Sequence, residues 1–178
     1  MAPKPQLTYP SSLRFLTLDV VRGGSFSDAN LAPSWHVTEY SEVLGHGEAC
    51  YRAAAYRLFS WRAHWEAGVG VTQHNVGSHE IVNVHFGPTS NPCLILHRSQ
   101  TARRAALVYG TLPGHVERGE EAFIVEMSES GEVTGRCLAF SQHAWWLAKL
   151  GAPVARGVQL AITRRYVRGM VPQSRQRD

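Results

Sequence analysis

The sequence predicts an α+β fold in which a curved antiparallel sheet of about seven strands grips a long C-terminal helix. Two long segments, one near residue 50 and one at the C-terminal end, repeat apolar residues at helical spacing. Between them, six short stretches rich in β-branched and aromatic residues are typical of strands. Turns of a few residues connect several of these stretches, and such short connections join antiparallel strands because parallel neighbours need long crossovers.

Length and composition favour one domain. A chain of 178 residues with a formal charge of +4 is large enough to bury a hydrophobic core. We divide it into an irregular N-terminal segment over 1–34, a folded body over 35–170 and a basic tail over 171–178. We expect a cytoplasmic protein, because we find no signal peptide or membrane-spanning run and the three cysteines suit a reducing compartment.

The first elements follow from local composition. Residues 1–34 contain four prolines and the pair Gly23-Gly24, which argue against regular structure. Residues 35–44 mix β-branched, aromatic and polar side chains and predict a first strand. Residues 48–67 predict a helix that Gly68 is suited to end. Its apolar side chains form one stripe at steps of three or four residues: Cys50, Ala54, Leu58, Trp61 and Trp65.

Six further strands and a final helix complete the prediction. The strands cover residues 69–75, 79–86, 93–99, 103–111, 120–127 and 132–140. The helix covers residues 144–169, and Pro153 should kink or split it because proline lacks a backbone N–H. Since a curved sheet must cover its apolar concave face, we expect this helix to lie there.

Polar chemistry concentrates in residues 109–123, which read YGTLPGHVERGEEAF. Both flanks predict strands, so the middle predicts a connecting turn with Pro113-Gly114 and Gly119 as turn residues. Polar groups on a loop held by rigid strands are a common arrangement in functional sites.

These residues resemble the signature YGTLPGHxExGEExF of an uncharacterised family of bacterial and plant proteins, labelled a domain of unknown function. The sequence is also similar to that family at residues 7–10, 140–141 and 159–166. The family resembles, more distantly, the helix-grip superfamily of START-like lipid-transfer and pollen-allergen domains. The resemblance implies a helix-grip fold, which commonly encloses a ligand cavity between sheet and helix. It implies no activity and no catalytic residue.

Strand alternation selects the candidate catalytic residues. Glu121 shares a face with bulky apolar residues, and Tyr109 shares a face with Leu107. We expect Tyr109, His115 and Glu121 to meet at the mouth of a pocket, with Glu117 supporting His115 and raising the pKa of its imidazole. A phenol, an imidazole and a carboxylate supply a donor, a switchable group and a base.

The alternative is structural. In it, the charged side chains of the turn form an ion-pair and hydrogen-bond cluster that closes the loop: Glu117, Arg118, Glu120 and Glu121. Residues assigned to the cavity wall as ligand-binding candidates are Thr111, Phe123, Cys137 and Trp146. Small residues on the last strand, among them Cys137, leave room for a ligand.

We expect neither metal nor cofactor. His79 and His85 share a strand face but lie about 20 Å apart, at roughly 3.3 Å per residue. The chain lacks the spacings of zinc sites and the Gly-rich loops that bind phosphate. The expected partner is a mostly apolar small molecule, with no integral membrane segment and no nucleic acid, since no nucleic-acid module is recognisable. The oligomeric state stays open.

Two functions remain open. The protein either binds an apolar small molecule without chemistry, or it is a cofactor-independent cyclase, isomerase or dehydratase, for example in natural-product biosynthesis. A third interpretation is an interaction or membrane-surface module that uses the arginine-rich end of the chain.

Overall fold

The computed structural model describes residues 5–143 and 152–172. Seven strands form one curved sheet: β1 (His36–His46), β2 (Gly70–Val76), β3 (His79–Phe86), β4 (Thr89–Gln100), β5 (Arg104–Thr111), β6 (Glu117–Met127) and β7 (Glu132–His143). They lie in the order β1-β7-β6-β5-β4-β3-β2, and every neighbouring pair is antiparallel. The predicted α+β helix-grip fold is confirmed.

In the described part of the chain, four α-helices accompany the sheet: α1 (Leu16–Val21), α2 (Gly47–Phe59), α3 (Arg62–Glu66) and α4 (Ala152–Gly169). Helices α2, α3 and α4 pack on its concave face and α1 packs on the opposite face. Among the described residues, the model contains no helix with both the length and the hydropathy to cross a membrane.

The hydrophobic core has two layers because strand side chains alternate between the faces. On β5, Leu107 packs with α2 and α4 in the concave layer. Its neighbour Val108 packs with Leu18 and Val21 of α1 in the convex layer. The segment predicted to be irregular, 1–34, thus contains helix α1 and two 3-10 turns, and its apolar side chains cover the outer face of the sheet.

The predicted helix over 48–67 is two helices. Trp61 adopts a left-handed backbone conformation, with φ 62°, and the chain changes direction between α2 and α3. The predicted apolar stripe therefore stops at Trp61, which is buried and donates its indole N–H to Gln73 Oε1 over 3.2 Å. Trp65, the next residue of the stripe, is 66% exposed. The helical spacing correctly predicted that Leu58 of α2 is buried and wrongly predicted that Trp65 is buried.

Three strands are longer than predicted by three residues or more. Only Gly87 and Pro88 separate β3 from β4, so residues 89–92 of the predicted turn belong to β4. Strand β6 begins at Glu117, and β7 continues to His143. The cross-strand pairing of polar residues such as Asn91 with Val84 extends the sheet beyond the apolar runs that the sequence displays.

Helix α4 begins at Ala152, which places Pro153 in its first turn. Proline is tolerated there because the first N–H groups of a helix have no intrahelical partner. Residues 144–151 of the predicted helix lie outside the described residues.

Candidate functional site

A cavity of about 190 Å³ lies between the concave face of the sheet and helix α4. Its wall is mostly apolar and includes Phe86, Val158 and Ile162. The polar side chains come from β4 to β7, the β5–β6 turn and α4: Thr89, Asn91, Tyr109, Thr111, His115, Glu117, Glu121, Ser141, Gln159, Thr163 and Tyr166. All four residues predicted as catalytic therefore line one cavity.

Glu121 lies on the cavity wall in the middle of β6. Its Oε2 accepts a hydrogen bond from the Tyr109 hydroxyl over 2.6 Å, and its Oε1 accepts one from Cys137 Sγ over 3.5 Å. Burial raises the pKa of Glu121 to about 7, and the nearby Glu117 carboxylate acts in the same direction. The two hydrogen bonds oppose this shift because they stabilise the charged form. Glu121 therefore titrates near neutral pH.

Two tyrosines frame this carboxylate. Burial, and then the charge of Glu121, raises the pKa of both Tyr109 and Tyr166 well above the usual value. Their rings both contact Phe123, with centroids 5.5 Å and 5.3 Å from it. At neutral pH the two phenols therefore keep their protons.

His115 lies in the β5–β6 turn and its imidazole borders the cavity. The backbone N–H of Glu117 donates to His115 Nδ1 over 2.8 Å. Because Nδ1 accepts this bond, the neutral ring carries its proton on Nε2. The turn itself is tied to β4, since the Val116 N–H donates to Asn91 Oδ1 over 3.2 Å.

The expected rise in the pKa of His115 is wrong in sign. Burial lowers the pKa of His115 to about 4, and the opposing influence of Glu117 is smaller. Glu117 contacts the imidazole through its backbone N–H, a hydrogen bond that the sequence did not suggest. His115 is therefore a neutral hydrogen-bonding group at pH 7.

The four charged residues of the turn do not form a single cluster, because alternation along β6 divides them between the two faces of the sheet. Glu117 and Glu121 line the cavity. Arg118 Nε donates to the Thr8 carbonyl over 2.7 Å on the other side. The Glu120 side chain also lies on that opposite face, where it contacts the N-terminal segment.

Glu120, which the sequence assigned only to the structural cluster of the turn, is a buried carboxylate on the opposite face of the sheet. It is 2% exposed and accepts hydrogen bonds from the Tyr9 hydroxyl (2.6 Å), the Phe15 N–H (2.6 Å), the Thr17 N–H (3.1 Å) and the Thr17 hydroxyl (2.7 Å). Burial raises the pKa of Glu120, and these donors oppose the rise. Glu120 fastens the N-terminal segment to the sheet.

Two glycines of the motif allow close packing around this carboxylate. A side chain at Gly110 would collide with the Tyr9 hydroxyl and with Leu7. Gly119 has φ 151° and approaches the carbonyl of Phe140 so closely that it leaves no space for a Cβ atom. The sequence suggested that Gly119 is a turn residue, but it lies within β6. Its lack of a side chain allows β6 and β7 to approach closely.

The residues predicted to bind ligand fall in different places. Thr111 lines the cavity, and its hydroxyl accepts the Gly119 N–H over 2.9 Å. Phe123 is fully buried and fills the core between β6, α3 and α4, so it does not border the cavity. Cys137 contacts Glu121 from behind the wall. Trp146 lies outside the described residues.

Helix α4 contributes side chains that the sequence analysis missed. Gln159 Nε2 donates to the Ser141 hydroxyl over 2.8 Å. Its Oε1 atom is buried and has no hydrogen-bond partner among the described residues. Residues 159–166 matched the resembling family, and that match was the available signal for Gln159 and Tyr166.

His64 of α3 lies behind the cavity wall, fully buried. Its ring contacts those of Trp61, Tyr109, Phe123 and Tyr166, at centroid distances from 4.6 to 6.2 Å. Neither ring nitrogen has a hydrogen-bond partner within the described part of the chain. Burial lowers the pKa of His64 to about 3, so the ring is neutral.

The arrangement favours proton transfer and hydrogen bonding within an apolar enclosure. Glu121 can hold or release a proton near pH 7, and Tyr109 and His115 can donate hydrogen bonds. Over residues 5–143 and 152–172, no group of three or more His, Cys, Asp or Glu side chains is placed to hold a metal ion.

The chain matches one family model over most of its length. The model for a domain of unknown function (DUF1990) matches residues 22–169. A UPF0548 protein of Deinococcus radiodurans is 31% identical over 157 residues, which cover 78% of this chain and 79% of that protein. A UPF0548 protein of Dictyostelium discoideum is 43% identical over 58 residues, which cover 29% of this chain and 27% of that protein.

Solved structures share the fold at low sequence identity. The hypothetical protein jhp0584 from Helicobacter pylori aligns with TM-score 0.58 and 10% identity, over 96% of this chain and 97% of that chain. The di-domain ARO/CYC StfQ from the steffimycin biosynthetic pathway aligns with TM-score 0.56 and 10% identity, over 80% and 52%. The Zhui aromatase/cyclase from Streptomyces sp. R1128 aligns with TM-score 0.51 and 12% identity, over 80% and 95%.

Proposed function

The chain belongs to the DUF1990 family, and we propose that it binds a mostly apolar small molecule in the cavity between the sheet and helix α4. The observation that carries the proposal is this cavity, with an apolar wall and a few polar groups that converge on it. Such a combination is the usual form of a small-molecule site, since apolar surface supplies affinity and polar groups fix orientation.

The size of the cavity limits the ligand. An apolar cavity of about 150 Å³ accepts benzene. The cavity here measures about 190 Å³, which suits a single ring with a short side chain. Phe86 and Val158 are both cavity-lining and more than 40% exposed, so they form an apolar rim through which we propose that the ligand enters.

We propose no role for nucleic acid. Two of the arginines on α4 are engaged with β1: Arg164 lies 5.6 Å from the centre of the Tyr40 ring, and Arg168 Nε contacts Glu42 Oε2 over 3.3 Å. These contacts use the two arginines within the protein itself.

A second candidate function is cofactor-independent proton transfer, as in a cyclase, isomerase or dehydratase. The observation that favours it is the pKa of Glu121, about 7, beside a protonated Tyr109. A carboxylate with such a pKa can act as a general base or acid near neutral pH. StfQ and Zhui, two proteins of similar fold, are an ARO/CYC and an aromatase/cyclase, which makes this chemistry worth testing here, although the likeness is one of fold.

Ligand capture tests the binding proposal. The protein is incubated with a metabolite extract, and the small molecules that it retains are identified by mass spectrometry. Ala139→Leu narrows the cavity, whereas Ala161→Leu makes the same change on an exposed position of α4. We expect the wild type and Ala161→Leu to retain the same small molecule and Ala139→Leu to lose it. Equal retention by both folded variants contradicts the proposal.

Kinetics on the captured molecule test the enzymatic candidate. Glu121→Gln and His115→Ala should leave folding and affinity largely intact and abolish turnover if these groups transfer protons. If the residues are structural, both variants lower the melting temperature, and bound ligand stays proportional to folded protein. A captured molecule that the wild type leaves chemically unchanged rejects the enzymatic candidate for that molecule and leaves the binding proposal in place.

A further inference from the structure

Strand β2 is an open edge of the sheet. It pairs with β3 on one side, and in the sheet order it has no neighbour on the other side among the described residues. The pairing with β3 keeps one register from Gly70 to Val76, and residues 72–75 are all exposed. The backbone N–H and C=O groups that point away from β3 have no hydrogen-bond partner in the described part of the chain. Strand β2 is therefore a free template for another strand.

The usual protection of an edge strand is missing from β2. Proteins block an open edge with charged side chains, proline or a β-bulge. Strand β2 contains no Lys, Arg, Asp, Glu or Pro, and its pairing has no bulge. The opposite edge, β1, carries Glu39 and Glu42, has a bulge between Val43 and Gly45, and packs against α4. The fold thus protects one edge of the sheet and leaves the other open.

An exposed tryptophan belongs to the helix next to this edge. Helix α3 contacts β2, and the Trp61 indole at its start binds Gln73 of that strand. One turn further on, Trp65 is 66% exposed. Arg62 and Glu66, also exposed, place one charge of each sign at the two ends of the helix. Large aromatic side chains and arginine are enriched in protein–protein interfaces, so this surface has the composition of one.

We propose that the protein forms a symmetric homodimer in which β2 pairs antiparallel with β2 of a second copy, with Gln73 at the two-fold axis. The proposal goes beyond the proposed function and does not depend on the cavity or its ligand. The pairing joins two seven-stranded sheets into one continuous sheet. It also supplies hydrogen-bond partners to the backbone groups that point away from β3.

The chemistry of the edge fits a second copy of this chain. A two-fold axis makes the interface isologous, so each contact occurs twice. With Gln73 at the axis, Thr72 faces His74 of the second copy. Neither strand carries an acidic residue, a lysine or an arginine, so the pairing opposes no such like charges. The same axis turns the two α3 helices antiparallel on one face of the joined sheet, which directs the Arg62 end of each towards the Glu66 end of the other.

A peptide from another protein fits this edge less well. It can form the same backbone hydrogen bonds, since these do not depend on side chains. It brings no counterpart of α3, however, and leaves Trp65 exposed beside the joint. In the symmetric dimer, Trp65 of each copy lies next to the two-fold axis, where α3 of the other copy covers it.

The size of the contact predicts a weak dimer. Each copy contributes a strand of seven residues and one tryptophan. A tryptophan buries about 150–250 Å². Interfaces below about 1,200 Å² in total are typical of transient association. We therefore expect a dissociation constant on the order of 10 μM.

The association state of the full chain tests the proposal. Sedimentation velocity at concentrations from about 1 to about 200 μM should show monomer at the low end and dimer at the high end, because association follows mass action. Hydrogen exchange should slow at least about threefold at the higher concentration for the amides of β2 that point away from β3. A monomer at every concentration overturns the proposal, and so does a dimer in which these amides gain no protection.

Two charged variants locate the interface on β2. Thr72→Lys/His74→Lys sets like charges opposite each other across the axis, and Thr72→Glu/His74→Glu does the same with the other sign. Each variant alone should dimerise at least about tenfold more weakly than the wild type. An equimolar mixture of the two should regain the dimer, because each lysine then faces a glutamate. If either variant does not fold, the protection of the β2 amides in the wild type decides.

The control places the same charges on the opposite edge. Ser41→Lys/Val43→Lys adds two lysines at exposed positions of β1 and should dimerise as the wild type does. If Thr72→Lys/His74→Lys folds and dimerises as strongly as this control, the dimer uses another surface and the proposal is wrong. If the mixture of the lysine and glutamate variants stays monomeric although both are folded, Thr72 and His74 do not face each other and the proposed pairing is rejected.

Discussion

The Tyr109 hydroxyl donates a hydrogen bond to Glu121 Oε2 over 2.6 Å, between residues that are direct partners in the register of β5 and β6. Burial and the neighbouring carboxylate both raise the pKa of Tyr109, so its proton stays on the phenol. The pair presents to the cavity a neutral donor and a carboxyl group that titrates near pH 7.

The raised pKa of Glu121 predicts a pH-dependent stability. Between about pH 4.5 and pH 7 the folded protein holds a proton on Glu121 that the unfolded chain has released, so its contribution to stability is lost as pH rises. Glu121→Gln lacks this titration. As pH rises across this window, we expect the free energy of unfolding of the wild type to fall relative to that of Glu121→Gln. The expected difference is on the order of 3 kcal/mol, at about 1.4 kcal/mol per pKa unit.

Urea denaturation of both proteins at intervals from about pH 4.5 to pH 8 measures the difference. Glu126→Gln, an exposed change on the same strand, should follow the wild type. Parallel curves for wild type and Glu121→Gln would show that the pKa of Glu121 is not raised.

His64 predicts the opposite slope at acid pH. Its folded pKa is about 3, well below the usual 6.5, because burial disfavours the charged ring. The unfolded chain therefore binds the extra proton as pH falls below about 6.5, and stability present above that pH is lost on acidification. His64→Phe should unfold at an equal or higher urea concentration at pH 7 and lose less stability between about pH 6.5 and pH 4.

The control for this variant is His74→Phe, since His74 is exposed on β2. It should keep the acid sensitivity of the wild type. His115 contributes in the same direction in all three proteins, so the slope is reduced and not removed. If His64→Phe loses as much stability as the wild type between about pH 6.5 and pH 4, the lowered pKa of His64 is refuted.

Tyr9→Phe should loosen the N-terminal segment. It removes one of four hydrogen bonds to the buried carboxylate of Glu120 and little volume. Hydrogen bonds to charged groups contribute about 1.5–3 kcal/mol, so we expect a loss of that size in urea denaturation. Limited proteolysis should then cleave the N-terminal segment faster than in the wild type. Tyr56→Phe, which changes an exposed tyrosine, should alter neither measurement.

Gly119→Ala should be among the most destabilising single changes in the chain. Its Cβ would enter the carbonyl of Phe140, a backbone group of β7 that cannot move without disturbing the sheet. Gly77→Ala also lies at positive φ, 60°, but has open space around the Cβ position. We expect the loss in unfolding free energy to be larger for Gly119→Ala by at least about 1 kcal/mol. Equal losses would mean that conformational strain alone matters and the strand contact does not.

The sequence alone determined the fold class, the order of the seven strands and the faces of strand β6. Alternation along β6 placed Glu121 with Phe123 and Val125, and the structure puts all three on the concave face. The predicted bounds of β3 agree with the structure. These features depend on residues that are neighbours in the chain, where spacing and propensity operate.

Tertiary structure decided the environment of each polar group. The partner of Glu120 is Tyr9, 111 positions away, and no local pattern links the two. Trp65 is exposed although the helical stripe included it, because the left-handed backbone at Trp61 separates α3 from α2. The pKa of His115 fell where proximity to Glu117 suggested a rise, because enclosure removes water from the ring and this cost exceeds the attraction of one carboxylate. Burial is a property of the assembled layers, and only the folded chain reveals it.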